Sequence, residues 1–315
     1  MTNKRFLISA ISLLAVLSVL TSCFNTESDY ERQVKIDDKL LAEFIATNSI
    51  NAVRDSKGFY YEVITPSAAG TSLKKGDVVS INYKISLLNG TILENNFENG
   101  HPVKFKLLNY SIIPEGLDYG VSLMKTGAKY RFYIPSYLAY GSYGIHPTPP
   151  YFPGNSNFIV EVEVVGVQTE SEIESLQRDS IATYIAQNYS GAQHFANGLY
   201  FIDSIPGNGP TPFASGRVIV DFKRKYLDNS LIASKENVTI FLNMNQAVEG
   251  LEDGIKLMKE GGSAILIMPS SIGFKQSVCV IPSQARERLL RDKLIVTDVL
   301  PYSILKYVVK LKAVN

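Results

Sequence analysis

Tryptophan is absent from this 315-residue chain, and cysteine and histidine are scarce, with two and three residues. Two cysteines allow at most one disulfide bond. None of the histidines (His101, His146 and His194) has a neighbouring Cys or carboxylate at a spacing typical of metal ligands, so we expect no metal site. The formal net charge is only +1 and the basic residues are scattered, which argues against a nucleic-acid partner.

Long hydrophobic runs are also lacking, except for one at the N-terminus. Lys4 and Arg5 precede an apolar run of about 15 residues, a pattern that predicts a signal peptide over residues 1–22. The run ends in Leu20-Thr-Ser-Cys23, which resembles a bacterial lipobox. We therefore expect Cys23 to carry lipid, and residues 23–37 to form a polar tether. The alternative is an uncleaved anchor helix with an incidental cysteine.

The second cysteine, Cys279, lies in the apolar run Ser-Val-Cys-Val-Ile. A lone cysteine in such surroundings is usually a small packing residue and not a nucleophile. We expect Cys279 to be buried and inert.

The rest of the chain is organised by an internal repeat. Ile45-Ala-Thr-Asn matches Ile185-Ala-Gln-Asn, and Pro114-Glu-Gly-Leu matches Val248-Glu-Gly-Leu. The spacing between the copies falls from 140 to 134 residues, so the second copy is shorter in one loop. A period this long predicts a duplicated domain, with copies over residues 38–169 and 170–315.

Each copy opens with a stretch of helical period, followed by short alternating strands. In the first copy, Asn89-Gly90 predicts a hairpin turn, and Gly116 to Gly127 contains one short helix. This order predicts an α+β fold in which an antiparallel sheet wraps around a short helix, each domain being preceded by its own N-terminal helix.

The sequence motifs of the first copy resemble those of the FKBP-type peptidyl-prolyl cis-trans isomerases. The match runs from about Tyr60 to Val167, and its order and spacing are those of the family. The motifs that carry it are Lys75-Gly-Asp-Val-Val, Asn89-Gly-Thr-Ile-Leu-Glu, Ile113-Pro-Glu-Gly-Leu, Met124-Lys-Thr-Gly-Ala-Lys-Tyr, Ile134-Pro-Ser-Tyr-Leu-Ala-Tyr-Gly and Phe152-Pro-Gly-Asn-Ser-Asn-Phe.

The resemblance implies rotation about X-Pro bonds in an apolar pocket, a reaction that needs no cofactor. It places Tyr140 at the substrate carbonyl and the backbone amide of Ile113 at a second carbonyl. It puts Tyr83 on the pocket wall with Glu94 in the place of the usual Asp. The substrate-binding positions it implies are Leu93, Val103, Leu117, Phe152 and Val160. Leu93, Leu117 and Val160 replace aromatic residues of the family, which implies a wider pocket and modest activity.

The second copy departs further from the family pattern. Phe222 stands in the place of Tyr83, Ala233 in that of Glu94, and Phe274 in that of Tyr140. We predict that this copy is not catalytic. Its Lys275 to Leu300 insertion contains a helix-forming stretch over residues 284–293, interpreted either as a docking surface or as a solvated cover over an empty pocket.

Two functions are consistent with these features. The first is an isomerase lipid-anchored in the envelope of a Gram-negative bacterium, expected at the outer membrane and facing the periplasm, that acts on proline-containing exported polypeptides. The second is a non-catalytic chaperone or scaffold that binds partner proteins through two linked modules. A role in a surface machine for gliding or secretion is supported only by the lipoprotein signal.

Overall fold

The computed structural model describes residues 27–98, 101–145 and 151–315. Within these ranges the chain forms two α+β units with antiparallel sheets, as the sequence predicted. The predicted signal peptide over residues 1–22, the lipidated Cys23 and His146 lie outside the described residues.

The first copy is a seven-stranded antiparallel sheet with the strand order β1-β2-β7-β8-β3-β4, in which β5 also pairs with β3. The predicted hairpin joins β3 and β4, with Gly90 at a φ of 87° that suits glycine. Its elements are α1 (Asp29–Thr47), β1 (Val53–Arg54), β2 (Tyr60–Thr65), β3 (Val78–Leu87), β4 (Ile92–Asn95), β5 (Val103–Lys106), β6 (Ile112–Ile113), α2 (Glu115–Val121), β7 (Lys129–Ile134), a 3-10 turn (Ser136–Leu138) and β8 (Phe158–Gln168).

The second copy repeats this plan in a six-stranded sheet with the order β12-β11-β15-β13-β10-β9. One long strand, β12, occupies the place of β4 and β5, which explains the shorter repeat spacing. Its elements are α3 (Glu170–Asn188), β9 (Gln193–His194), β10 (Tyr200–Ile205), β11 (Arg217–Tyr226), β12 (Leu231–Phe241), α4 (Glu249–Lys256), β13 (Ser263–Met268), a 3-10 turn (Ser270–Ile272), β14 (Cys279–Val280), α5 (Ala285–Arg291) and β15 (Leu305–Val314).

The first helix begins inside the segment predicted to be a tether. Ser28 caps α1 by accepting a bond from the Glu31 N–H, while the Glu31 carboxylate bonds the Ser28 N–H. This reciprocal capping box fixes the start of a helix, so residues 29–37 are helical. Thr169 and Glu172 cap α3 in the same way.

Both leading helices dock on the 3-10 turn of their own copy through polar contacts, one of which is at equivalent positions in the two copies. In the first copy, the buried Asp37 carboxylate accepts a bond of 2.5 Å from the Ser136 hydroxyl. In the second, Gln177 accepts bonds of 2.8 and 3.0 Å from the backbone N–H and hydroxyl of Ser270. Asp37 and Gln177 are 140 residues apart, and Ser136 and Ser270 are 134 apart, which are the two spacings of the sequence repeat. The leading helices therefore belong to the duplicated unit.

The motif Glu-Gly-Leu-x-x-Gly occurs in both copies because each short helix lies close against its sheet. A Cβ added to Gly120 of α2 would lie 2.7 Å from a Phe132 ring carbon. At the matching position of α4, a Cβ on Gly254 would lie 2.3 Å from a Leu266 methyl carbon. Such contacts are too close for any side chain, so glycine permits each helix to approach its sheet.

Among the described residues, none of the helices is both long enough and apolar enough to cross a membrane.

Candidate active site

Strands and loops of the first copy bring the predicted apolar site residues into or against one hydrophobic cluster. Leu117 of α2 and Val160 of β8 are fully buried, while Val103, Ile113 and Tyr140 are partly exposed at the edge of the cluster. The same cluster contains the other predicted positions and their neighbours, Tyr83, Leu93, Phe152 and Phe158.

Three aromatic rings form one side of this site. The Tyr140 ring lies 4.8 Å from Phe152 and 5.9 Å from Phe158, and the last two rings are 5.1 Å apart. Phe158 ends the last of the family motifs in the sequence, but its role in the site was not predicted. A sequence pattern could have identified it, because buried and half-buried residues alternate along the last strand and Phe158 is the first of the buried ones.

Tyr83 and Glu94 face each other across the β3–β4 hairpin. The Tyr83 hydroxyl donates a bond of 2.7 Å to Oε2 of Glu94. Burial and the neighbouring carboxylate raise the pKa of Tyr83 far above its usual value, so the phenol stays protonated and donates. The longer side chain of glutamate therefore reaches the tyrosine from the position that the family usually gives to aspartate.

The site is occupied by a segment of the second copy. β14 pairs in parallel with β6, and the Cys279 N–H donates 2.7 Å to the Ser111 carbonyl. The Ile281 N–H donates 2.8 Å to the Ile113 carbonyl, and the Tyr140 hydroxyl donates 2.9 Å to the Ile281 carbonyl. Ile281 and Pro282 are buried, and the peptide bond between them is cis.

The residue after this proline is held by Glu94. Oε2 of Glu94 accepts a bond of 2.6 Å from the Ser283 N–H, and Oε1 accepts one of 2.6 Å from the Ser283 hydroxyl. The Glu94 carboxylate thus joins the pocket wall, through Tyr83, to the bound segment.

The insertion docks on the first copy, which agrees with the docking interpretation and corrects the interpretation as a solvated cover. The segment does not cover the second copy alone, because much of its apolar side is buried in the core of the first copy. The helix within it, α5, is shorter than predicted, and the Tyr143 hydroxyl donates 2.6 Å to Asp292 just after it. The side chains contributed to the first core are Cys279, Val280, Ile281, Ala285, Leu289 and Ile295.

Cys279 is buried, as the sequence predicted, although its surroundings belong largely to the first copy. Its side chain is 3% exposed, and burial raises the pKa of its thiol to about 12. The thiol is therefore protonated and shielded while the segment stays bound.

The equivalent region of the second copy is filled differently. Phe222 and Tyr307 lie 5.5 Å apart, and the Arg224 guanidinium lies 4.8 Å from the centre of the Phe274 ring. Arg224 also forms an ion pair of 2.6 Å with Asp298 of the insertion. A charged side chain paired in this way leaves little apolar surface for a proline ring.

No group of three or more potential metal ligands occurs in the described part of the chain.

Residues 70–165 and 209–312 match the family model described as FKBP-type peptidyl-prolyl cis-trans isomerase. FkpA of Buchnera aphidicola is 36% identical over 107 residues, which are 34% of this chain and 40% of that protein. FKBP15-1 of Arabidopsis thaliana is 33% identical over 116 residues, which are 37% of this chain and 73% of that protein.

The crystal structure of FkpA from Escherichia coli aligns with a TM-score of 0.35 and 24% identity, over 51% of this chain and 82% of that chain. The stretch that matches the Buchnera relative spans less than half of that protein's length. The two stretches matched by the family model together make up more than half of this chain. The chain thus belongs to the FKBP-type peptidyl-prolyl cis-trans isomerase family and carries the family's domain twice.

Proposed function

We propose that the first copy catalyses cis-trans isomerisation of X-Pro bonds in exported polypeptides, and that the second copy is not catalytic. One observation carries the proposal. The Tyr140 hydroxyl bonds the carbonyl of a residue that precedes a buried proline, at the edge of an apolar site.

Rotation about an X-Pro bond requires no bond to be made or broken. The barrier of about 18–20 kcal/mol arises because the amide loses resonance as it twists. A site accelerates the rotation by binding the twisted amide more tightly than either planar form. An apolar pocket helps because it removes water from the amide, whose planar form is the more polar one.

Each site residue has a role in this reaction. The apolar cluster around Leu117 and Val160 receives the proline ring, while Ile113 holds the preceding residue through the backbone. Tyr140 holds the carbonyl of the rotating amide. Burial raises the pKa of Tyr140 well above its ordinary value, so its hydroxyl remains a donor at physiological pH.

The second copy lacks the groups that this reaction uses. Phe274 carries no hydroxyl to hold a carbonyl, and Ala233 carries no carboxylate. Arg224 and Asp298 introduce an ion pair where the first copy has an apolar pocket. We therefore assign this copy a binding role.

Replacing Tyr140 by phenylalanine tests the assignment. Loss of one hydrogen bond of about 1–1.5 kcal/mol to the twisting amide should lower the catalysed rate in a proline-limited refolding assay by about five- to tenfold at saturating substrate, where the chain's own segment is displaced. Tyr307→Phe, the same change in the second copy, should leave the rate unchanged. If both variants catalyse as well as the parent chain, the first site is not the catalytic one.

Lipid attachment at Cys23 is the second part of the proposal. Lys4, Arg5, the apolar run and the lipobox-like Leu20-Thr-Ser-Cys23 support export and anchoring in a Gram-negative envelope, with the outer membrane as the expected site. Cys23→Ser should abolish incorporation of labelled fatty acid and move the protein from the membrane to the soluble fraction. A fully labelled, membrane-bound Cys23→Ser protein would contradict lipid anchoring at this residue.

A non-catalytic scaffold is the second candidate, and occupation of the pocket by the chain's own segment favours it. A scaffold would bind unfolded partners through surfaces outside the filled pocket. Suppression of aggregation should then be the same in the parent chain and in Tyr140→Phe, while neither accelerates proline-limited refolding.

A further inference from the structure

The segment from Cys279 to Ser283 binds the first site in the way that a polypeptide substrate would. Its hydrogen bonds to Ser111, Ile113 and Tyr140 all use its backbone N–H and carbonyl groups. Any extended polypeptide carries these groups, so the contacts are not special to this chain. The following inference rests on the proposed isomerase function of the first copy.

A second polypeptide cannot occupy the site at the same time. The Tyr140 hydroxyl has a single proton to donate, and the Ile281 carbonyl takes it. The edge of β6 is paired with β14, and both oxygens of the Glu94 carboxylate accept bonds from Ser283. An incoming X-Pro segment therefore has to displace the chain's own.

Tethering strengthens this competition. A ligand held on the same chain has an effective concentration in the millimolar range when the linker suits the span. The segment is fixed at both ends by the fold of the second copy. On its N-terminal side, the Lys275 carbonyl accepts a bond of 2.8 Å from the Tyr302 N–H, and on its C-terminal side Val299 is buried in the second core.

The bound sequence also shows which chemistry the site accepts. Val280 and Ile281 are buried aliphatic residues, followed by the buried proline and by a serine whose hydroxyl reaches Glu94. The parallel pairing with β6 fixes the direction in which the chain enters. The pattern is aliphatic, aliphatic, proline, then a residue with a hydroxyl group.

We infer that residues 279–283 are a tethered, substrate-like ligand that holds the first site closed, and that polypeptides with the pattern aliphatic-Pro-Ser or aliphatic-Pro-Thr displace it. The second copy is thereby the regulator of the first. The isomerase opens when a competing polypeptide is present in sufficient concentration.

Pro282→Gly in residues 24–315 tests the closed state. The variant removes the ring that fills the pocket. A site that is free of the segment about one-tenth of the time binds substrate about ten times more weakly than an open site. The variant should therefore raise the catalytic efficiency towards a proline-containing substrate by about tenfold or more. Pro206→Gly is the matched control. It alters an exposed Ile-Pro pair at the end of β10, neither residue of which belongs to the first core, and it should leave the rate unchanged.

Cys279 reports on the bound segment without any change to it. In residues 24–315 it is the only thiol, and burial makes it slow to react with a thiol reagent such as dithionitrobenzoate. We use a synthetic peptide with the sequence of residues 276–285 and serine in place of the cysteine. If the segment is displaced about one-tenth of the time in the free protein, a saturating peptide that displaces it fully should speed labelling of Cys279 by about tenfold. The same peptide with glycine in place of proline should have no effect, and one with alanine in place of the serine after proline should need a higher concentration.

The outcomes separate this inference from the proposed function. Equal, non-zero catalytic rates of the parent chain and Pro282→Gly overturn the inference and leave the isomerase function standing. Labelling of Cys279 that no peptide accelerates at millimolar concentration also overturns it. If the peptide exposes the thiol but neither protein accelerates refolding, the isomerase function fails and the segment is a structural ligand only.

Discussion

Arg286→Met is expected to lower the free energy of opening of the 275–300 insertion by about 3 kcal/mol, since it removes several bonds from a charged donor. The Arg286 guanidinium is 9% exposed and donates to the carbonyls of Val278, Thr297 and Val299. It thus ties the segment that enters the first copy to the segment that covers the second. Burial lowers the pKa of Arg286, which reflects a desolvation cost that partly offsets these bonds.

Hydrogen exchange of peptides from residues 277–299 measures this effect directly. We expect exchange in this region to become faster in Arg286→Met and the labelling of Cys279 to accelerate with it. Arg291→Met, a change on the exposed side of the same helix, should alter opening by less than about 0.5 kcal/mol. Equal protection of the insertion in Arg286→Met and the parent chain would show that Arg286 does not fasten it.

Leu117→Ala is expected to destabilise the first copy by about 2–5 kcal/mol, the range for removing a fully buried leucine. Leu117 has no exposed surface and belongs to the cluster that also holds Ile281. The cavity would open in the cluster that contains the bound segment, so we expect weaker protection of both the first core and residues 279–283. The free energies can be measured copy by copy from hydrogen exchange at increasing urea concentrations.

Leu123→Ala is the control for this variant. It lies just beyond the same helix, but its side chain is 42% exposed, so its truncation should cost less than about 1 kcal/mol. The core of the second copy should keep its stability in both variants, since neither leucine belongs to it. Equal destabilisation by the two changes would contradict the placement of Leu117 in the core.

Local and repeated patterns in the sequence predicted much of the fold. The matched motifs at offsets of 140 and 134 residues identified the duplication, and Asn89-Gly90 identified the hairpin between β3 and β4. The predicted start of the first helix was wrong because the hydrophobic periodicity of this segment begins after the helix does. The capping pair of Ser28 and Glu31 is a polar signal outside that pattern.

The site was only partly predictable for a different reason. Tyr83, Glu94 and Tyr140 were placed by position in the family motifs, and the structure brings Tyr83 and Glu94 into contact. The bound segment could not be found in this way, because Glu94 and Ser283 are 189 residues apart in the chain. The insertion was predicted to lie on the copy that contains it. No local sequence pattern indicates which of the two related pockets an aliphatic-proline segment enters.

Duplication thus offers a route to regulation within one chain. The first copy keeps Tyr83, Glu94 and Tyr140, while the second has lost both matching hydroxyls and the matching carboxylate. The insertion lies between the 3-10 turn and β15 of the second copy. That insertion supplies the segment bound by the first copy.

The most direct test is nuclear magnetic resonance of residues 24–315 with labelled tyrosine and isoleucine. The structure predicts magnetisation transfer between protons of Tyr140 and Ile281, whose hydroxyl and carbonyl oxygens lie 2.9 Å apart. The transfer should disappear when the peptide of residues 276–285 is added in excess. A Tyr140 that shows no transfer to Ile281 in the free protein, with Ile281 resonances typical of an exposed chain, would contradict occupation of the first site by the second copy.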